Sequence, residues 1–411
     1  MKRLTSRLGA ALLVLAAEPA AAQHYSGYAE ARSYGYFAKA NERDPAAIAW
    51  GTILVKGEAA LGARGRFVSS LRLEGISSDE AGPLEFDPAD RALRRTPLTL
   101  RELYVRLPLR SGLDLQAGRF ELGWGKTDGY SPADAFLPRD LSDPFADEKL
   151  PLWGARLQGQ RAGLRWELYA TAPATPWRMP VLEGRYAPVP IARVILVDGT
   201  SNPPHAGFAA GRLLLTHGDW DLGLWARGGE RPAPLLAFRR DQVYPVDVGY
   251  AVPTDRRYVR ESGAGFEVAK VQGAWVLRGE LGALYSGDAE LGSALLVTAG
   301  LERGVGNAIF IATLAVNLRD TPIDPALLFD RAFLPGLIAA WTQSASWGSV
   351  KLAWTGAFKH GDGLLKIDVV DHLNDRWSLN AGGDLPYGSE LGPLGVLGDA
   401  RRARLALRRS W

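Results

Sequence analysis

The chain has 411 residues, and its 48 lysines and arginines against 45 acidic residues give a formal net charge of +3. Hydrophobic residues make up 47% of the chain and the mean hydropathy is -0.08, which excludes a bundle of transmembrane helices because each needs about 20 consecutive apolar residues. A balance this close to neutral gives no argument for a nucleic-acid partner. The sequence contains no cysteine, so disulfides, thiolate nucleophiles and cysteine metal sites are excluded as well.

The first 22 residues have the order of a secretory signal peptide. A basic start over 2–7 is followed by an apolar run over 9–17 and by alanines at 20–22, which offer a cleavage point before Gln23. The alternative is an N-terminal anchor, but the run is short for a membrane-spanning helix. We therefore expect an exported mature chain that forms a single domain over 23–411.

The remaining sequence is dominated by short runs in which apolar and polar residues alternate. In 164–170, Leu164 and Trp166 share one face while Arg165 and Glu167 share the other. A period of two residues predicts β-strands. In chain order we predict eighteen strands, with sixteen as the nearest alternative, at 25–38, 48–60, 64–75, 100–109, 112–120, 151–160, 163–172, 206–217, 219–230, 258–270, 273–285, 294–302, 307–318, 332–344, 348–358, 363–371, 375–383 and 401–411.

The connections between these strands separate a soluble sandwich from a membrane barrel. Every second connection is tight, namely 61–63, 110–111, 161–162, 218, 271–272, 303–306, 345–347 and 372–374. Several of the others are long, namely 76–99, 121–150, 173–205, 231–257, 319–331 and 384–400. Tight turns at one end and long loops at the other are typical of an up-and-down antiparallel β-barrel in the bacterial outer membrane. This topology places both termini on the periplasmic side.

Aromatic residues lie near many predicted strand ends: Tyr25, Tyr28, Trp50, Trp153, Trp220, Tyr285, Trp347, Trp377 and Trp411. They favour girdles at the two membrane interfaces, and an ordinary aromatic core is the alternative. The last residues, 405–411, alternate and end in Trp. They resemble the terminal strand of outer-membrane proteins, most of which end in Phe.

The segment 121–150 is the best candidate for a functional loop. Gly123 and Gly125 permit a sharp departure from the preceding strand, and three prolines within the segment, with Pro151 directly after it, stiffen the path. If the loop folds into the barrel, opposed charges across a narrow lumen would select solutes by charge. The candidate residues at this constriction are Arg119, Trp124, Lys126, Asp128, Asp134, Arg139, Asp140, Asp143, Asp147, Glu148 and Lys149.

Two other interpretations of this segment stay open. It could be a solvated surface loop whose acidic and basic residues pair with one another. Its acidic cluster could also bind Ca²⁺, which prefers oxygen ligands, but the spacing does not match an EF-hand loop. We expect no metal and no cofactor. Arg119, at the end of the preceding strand, is the strongest single candidate for a lumen residue.

The same segment resembles one in porin-like outer-membrane proteins of Gram-negative bacteria, including alginate-export-type barrels. The shared pattern is a Gly-Arg strand end at 118–119, Trp-Gly at 124–125, Asp128, and Pro-x-Asp at 132–134. The resemblance implies an outer-membrane location, and general porins further imply a third long loop that folds inward and an association into homo-oligomers. Outside this segment the resemblance is architectural.

These observations predict an outer-membrane channel for the passive passage of small hydrophilic solutes, with a mild preference for anions. Its expected partners are outer-membrane lipid, those solutes and other copies of the chain. One alternative is a non-conducting barrel that docks a ligand or a protein through its loops. A barrel hydrolase is a weaker alternative because none of the five histidines stands in a recognised catalytic motif.

Overall fold

The computed structural model describes residues 24–38, 45–78, 81–146, 148–182, 184–186, 194–246, 249–320 and 336–411. The expected signal peptide and Asp147 lie outside these residues. Within the described ranges, no helix is both long enough and apolar enough to cross a membrane.

Eighteen strands close into one antiparallel barrel. In chain order they are β1 (His24–Tyr36), β2 (Ala47–Leu61), β3 (Gly65–Ile76), β4 (Leu98–Arg110), β5 (Leu113–Phe120), β6 (Leu152–Arg161), β7 (Leu164–Thr171), β8 (Phe208–His217), β9 (Trp220–Glu230), β10 (Arg260–Gln272), β11 (Trp275–Tyr285), β12 (Ala294–Val305), β13 (Ala308–Arg319), β14 (Gly336–Ala345), β15 (Gly348–Ala357), β16 (Asp362–His372), β17 (Trp377–Tyr387) and β18 (Arg402–Ser410). Each strand pairs with its neighbours in the chain, and β1 closes the barrel against β18 with Tyr28 opposite Ser410. The predicted all-β barrel of eighteen strands is confirmed, and the alternative count of sixteen is wrong.

The connections differ at the two ends of the barrel, as the sequence predicted. At the short-turn end, Arg110 of β4 is followed by Leu113 of β5, and His217 of β8 by Trp220 of β9. His24 and Ser410 lie at this same end. The long connections gather at the opposite end, which we call the long-loop end.

Two of the long connections contain regular structure that the sequence did not reveal. Their segments Val194–Ser201, Leu235–Phe238, Tyr244–Val246 and Gly249–Arg257 form a small four-stranded sheet, although they were predicted as loop. Leu182, Leu196 and Leu236 form a compact core beneath it. Within the 121–150 loop, Arg139–Asp140 also pairs with Glu148–Lys149 as a two-residue ribbon.

The two faces of the barrel wall have opposite chemistry. On β11, Leu277, Leu281 and Tyr285 point outward and are 43–63% exposed. Arg278 and Glu280 alternate with them and point inward. The outer face is therefore apolar without being covered by protein, which is the arrangement that a lipid bilayer requires. Closure of the barrel satisfies the backbone hydrogen bonds that lipid cannot.

The aromatic residues of the predicted girdles divide between these two faces. Trp220, Trp275 and Trp377 are exposed on the outer face at the short-turn end. Trp50 instead faces inward, where its ring packs edge-on against Tyr34. Alternation alone could not make this distinction because an aromatic side chain suits either face.

Replacing Leu281 with Arg would place a charge on the outer face near the middle of β11. We expect this variant to lower the free energy of unfolding by about 2–4 kcal/mol, the cost of an arginine at the centre of a bilayer. Urea unfolding of protein refolded into lipid vesicles measures it. The matched control is Thr342→Arg, whose side chain points inward from β14 and whose cost should be much smaller. Equal losses in the two variants would contradict the assignment of the faces.

Candidate functional site

The candidate site begins where the 121–150 loop leaves β5 and meets the inward-facing side chain of Glu280 on β11. The Glu280 carboxylate accepts hydrogen bonds from the backbone amides of Lys126 at 2.6 Å and Thr127 at 2.7 Å. It also accepts them from the Ser131 hydroxyl at 2.5 Å and the Ala133 amide at 3.3 Å. Because β11 is six strands from β5, residues 126–133 lie against a distant part of the inner wall. We call these contacts the Glu280 anchor.

The local sequence explains how the loop can make this turn. Gly125 has a φ of +92° and Gly129 one of +80°, a conformation that side chains with a Cβ rarely adopt. A Cβ on Gly125 would also lie 2.0 Å from the Ser131 hydroxyl oxygen. Pro132 then begins a single 3-10 turn that ends at Asp134.

Trp124 fixes the base of this turn. Its side chain is buried, and its ring nitrogen donates to Glu167 on β7 at 3.2 Å. Its backbone amide donates to Asp134 at 2.5 Å, and the ammonium of Lys149 reaches the same carboxylate at 2.5 Å. Burial raises the pKa of Asp134, and the charge and hydrogen bond of Lys149 oppose that shift. Phe136 packs edge-on against Trp124 and continues the cluster.

Two charged residues of the turn remain near solvent. Lys126 pairs with Asp221 of β9 at 3.3 Å, and Asp128 pairs with Arg278 of β11 at 3.1 Å. The Asp128 side chain is 46% exposed and that of Lys126 is 14% exposed. Charged groups of both signs on the loop can therefore still meet a solute.

The second half of the loop contacts other strands. Asp143 pairs with Arg402 of β18 at 2.9 Å. Glu148 pairs with Arg72 of β3 at 2.6 Å and with Arg101 of β4 at 2.9 Å. Burial would raise the pKa of Glu148, but nearby arginines, led by Arg72, hold it below its ordinary value. The two halves of the loop are thus attached to opposite parts of the barrel wall.

Five charged side chains at the long-loop end form what we call the buried charge cluster: Asp90, Arg95, Arg119, Asp140 and Arg178. Asp140 lies 2.6 Å from Arg178 and 3.0 Å from Arg95. Asp90 lies 3.1 Å from Arg178 and 2.5 Å from Arg119. None of the five is more than 3% exposed. The cluster joins the end of β5 to three long connections.

Asp140 lies between two of the arginines of this cluster, and they set its ionisation. Burial alone would raise its pKa. The positive charges of Arg95 and Arg178, with a hydrogen bond from Ser142, outweigh burial and hold the pKa far below the usual range. Asp140 is therefore ionised whenever the barrel is folded at ordinary pH.

The structure brings most of the candidate residues into one loop network, but it changes what Arg119 can do. Its guanidinium donates to Asp90 and to the backbone carbonyl of Leu100, and its side chain has no exposed surface. A passing solute cannot touch it. Arg139 is half-buried in the ribbon opposite Lys149.

Several important partners were missed. Alternation could identify Glu280 and Glu167 as inward-facing, but nothing in the sequence links either residue to the loop. Asp90, Arg95 and Arg178 lie in connections without periodicity, and they left no usable signal.

The loop carboxylates do not converge on a common centre. Asp134 and Asp143 each face a cation, as do Asp140 and Glu148. Among the residues that the structure describes, no group of three or more His, Asp or Glu side chains is arranged to hold a metal ion. Their geometry is that of ion pairs that hold a loop in place.

No known family model matches this sequence, and neither does any curated protein. Solved structures do share its fold. A BenF-like porin from Pseudomonas fluorescens aligns with a TM-score of 0.55 at 11% identity, covering 95% of this chain and 98% of that one. OccK9 of Pseudomonas aeruginosa aligns with a TM-score of 0.55 at 12% identity, covering 95% of this chain and 97% of that one. OccAB4 of Acinetobacter baumannii aligns with a TM-score of 0.54 at 9% identity, covering 95% of this chain and 98% of that one. The chain therefore has the barrel fold of these proteins.

Removing the Asp140 charge should destabilise the barrel. Asp140→Asn leaves two buried arginines with a weakened partner, so we expect a loss of about 3–5 kcal/mol at neutral pH. Because the folded pKa lies below the unfolded value of about 3.9, this stabilisation is complete above that pH and declines as the pH falls below it. The unfolding free energies of the two proteins should therefore converge in acid. A difference that is independent of pH would show that the Asp140 charge is not responsible.

Removing the Glu280 anchor should release the turn without unfolding the barrel. In Glu280→Ala we expect trypsin to cut after Lys126 at least about ten-fold faster, because several hydrogen bonds to a charged acceptor are lost. The control is Asp368→Ala, which removes an inward-facing carboxylate paired with Arg404 and not with the loop. Cleavage at the wild-type rate in Glu280→Ala would mean that other contacts hold the turn.

Proposed function

We propose that this chain is a porin-like channel of the outer membrane that passes small hydrophilic solutes down their gradients and prefers anions. The observation that carries the proposal is the pairing of an apolar outer face with a charged inner face that a long loop contacts at several strands. The barrel fold that this chain shares with the BenF-like porin and with OccK9 supports it. The short-turn end would face the periplasm.

The distribution of exposed charge supports the preference for anions. Arg66 and Arg106 stand directly opposite each other on β3 and β4, and their side chains are 68% and 48% exposed. Arg165 on β7 is 53% exposed. Their carboxylate neighbours are more covered, with Glu58 at 33% and Asp114 at 27%. Two arginines placed directly opposite each other lower the stability of the sheet, so a purely structural role does not explain them. A positive electrostatic field along the lumen, which would attract anions, explains their exposure better.

The loop adds the second element of the channel. We propose that residues 121–150 narrow the lumen and that Lys126, Asp128, Glu148 and Lys149 present charges of both signs at the constriction. Its attachment through the Glu280 anchor and the buried charge cluster would keep this constriction rigid. A rigid constriction selects solutes by size and charge better than a mobile one.

One observation favours a second candidate, a barrel that docks a ligand or protein through its loops. The small sheet at the long-loop end presents Tyr244 and Tyr250, 45% and 56% exposed, from adjacent segments. Exposed tyrosines are common at sites of protein contact. In that case the lumen would not conduct.

Planar-bilayer recordings of the refolded protein test the channel directly. Stepwise currents are expected from the wild type, and their absence in protein that shows the heat-modifiable gel mobility of a barrel would favour the docking candidate. In Arg66→Gln/Arg106→Gln, the anion-to-cation permeability ratio should fall by roughly two-fold or more. The control is Arg303→Gln, which removes the same kind of charge from the outer face. An unchanged reversal potential in the double variant would refute the proposed preference for anions.

A further inference from the structure

Three cations on the outer face of the barrel share one arrangement. Lys270 lies opposite Trp220 across β9 and β10, Arg303 opposite Trp275 across β11 and β12, and Arg409 opposite Trp377 across β17 and β18. In each pair the cation lies over the Trp ring, at 4.9, 4.7 and 5.9 Å from its centroid. All three pairs lie at the short-turn end, because each cation stands within two residues of the end of its strand.

None of these three cations forms an ion pair with a carboxylate in the described part of the chain. On an outer face that is otherwise apolar near mid-strand, an uncompensated cation would be costly in hydrocarbon. At the edge of the membrane the cost falls, and the partner within reach is the anionic headgroup layer. The repetition of the pair at three places points to a shared role beyond that of a single interfacial tryptophan.

Arg303 differs from the other two because it stands at the edge of a groove on the outer face. This groove has a volume of about 630 Å³ and extends over β11–β16. Its floor contains Ala312 and Ala339, and its walls include Trp341 and Trp354. The small floor residues leave a depression between large aromatic walls, and its volume is within the range of ligand-binding pockets.

We propose that Arg303 and this groove form a binding site for one phospholipid of the leaflet at the short-turn end. Arg303 receives the phosphate group, Trp275 supports the guanidinium, and an acyl chain lies in the groove against Trp341 and Trp354. The positive charge of Arg303 favours an anionic headgroup. The apolar lining of the groove favours a hydrocarbon chain. The site rests on the proposed membrane location, but not on conduction.

The barrel carries an internal control for this site. A second groove of about 590 Å³ on the outer face over β7–β9 is formed by Trp166, Leu213, Leu224 and Ala226 among others. Its lining includes charged residues that face the lumen, Glu167 and Arg212, but no cation that faces outward. The second groove could therefore hold an acyl chain, but it has no cation to bind a phosphate group.

Native mass spectrometry of the detergent-solubilised full barrel, titrated with phosphatidylglycerol, tests the proposal. The wild type should retain one tightly held lipid, and Arg303→Gln should weaken its binding about five-fold, the effect of one basic residue at an anionic surface. Ala339→Phe, which fills the groove, should weaken it as well. Ala226→Phe in the second groove and Arg66→Gln on the inner face should leave it unchanged.

Equal binding by the wild type and Arg303→Gln would overturn the proposal, as would equal losses in Ala339→Phe and Ala226→Phe. Oligomers that carry no lipid and dissociate in Ala339→Phe would show instead that a second copy of the chain covers the groove. Bilayer recordings separate this proposal from the previous one. If the wild type does not conduct but Arg303→Gln still weakens lipid binding, the channel fails and the lipid site stands.

Discussion

The shape of the candidate site depends on two buried carboxylates shared among three arginines. Asp140 and Asp90 are the only acids in the buried charge cluster, and Arg178 bridges them. A buried charge that loses its partner costs far more free energy than an exposed one. The segments that supply these five residues must therefore keep one fixed arrangement relative to one another. The 121–150 loop is one of those segments. Its position is therefore set from the long-loop end by the cluster and from the opposite inner wall by the Glu280 anchor.

The strands could be predicted because the alternation that identifies each one lies within its own residues. The eight residues of β7 are enough to predict a strand because apolar and charged side chains alternate along them. Leu164, Trp166 and Leu168 must face a different environment from Arg165 and Glu167. The alternation of tight and long connections then orders the strands without knowledge of any contact. Topology followed from local chemistry because neighbours in the chain are neighbours in the barrel.

The candidate site was less accessible because its contacts join residues with no local relationship. Asp140 and Arg178 lie 38 positions apart in two connections that have no periodicity. Glu280 and Lys126 are 154 positions apart. Arg119 illustrates the limit: its place at the end of a strand was predicted, but its burial against Asp90 depends on a loop whose path the sequence does not encode locally. The sheet built from Val194–Ser201 and Gly249–Arg257 escaped prediction for the same reason, because its parallel pairing joins two separate connections.

The pairing of β1 with β18 has a consequence for how the barrel assembles. Tyr28 and Ser410 face each other although almost the whole chain lies between them, so this seam has the largest loop-closure cost of any strand pair. Every other strand pair of the barrel can form from strands that are adjacent in sequence. Until the seam forms, both strands present an open edge that neither water nor protein satisfies within lipid. The seam is thus the natural last step of folding.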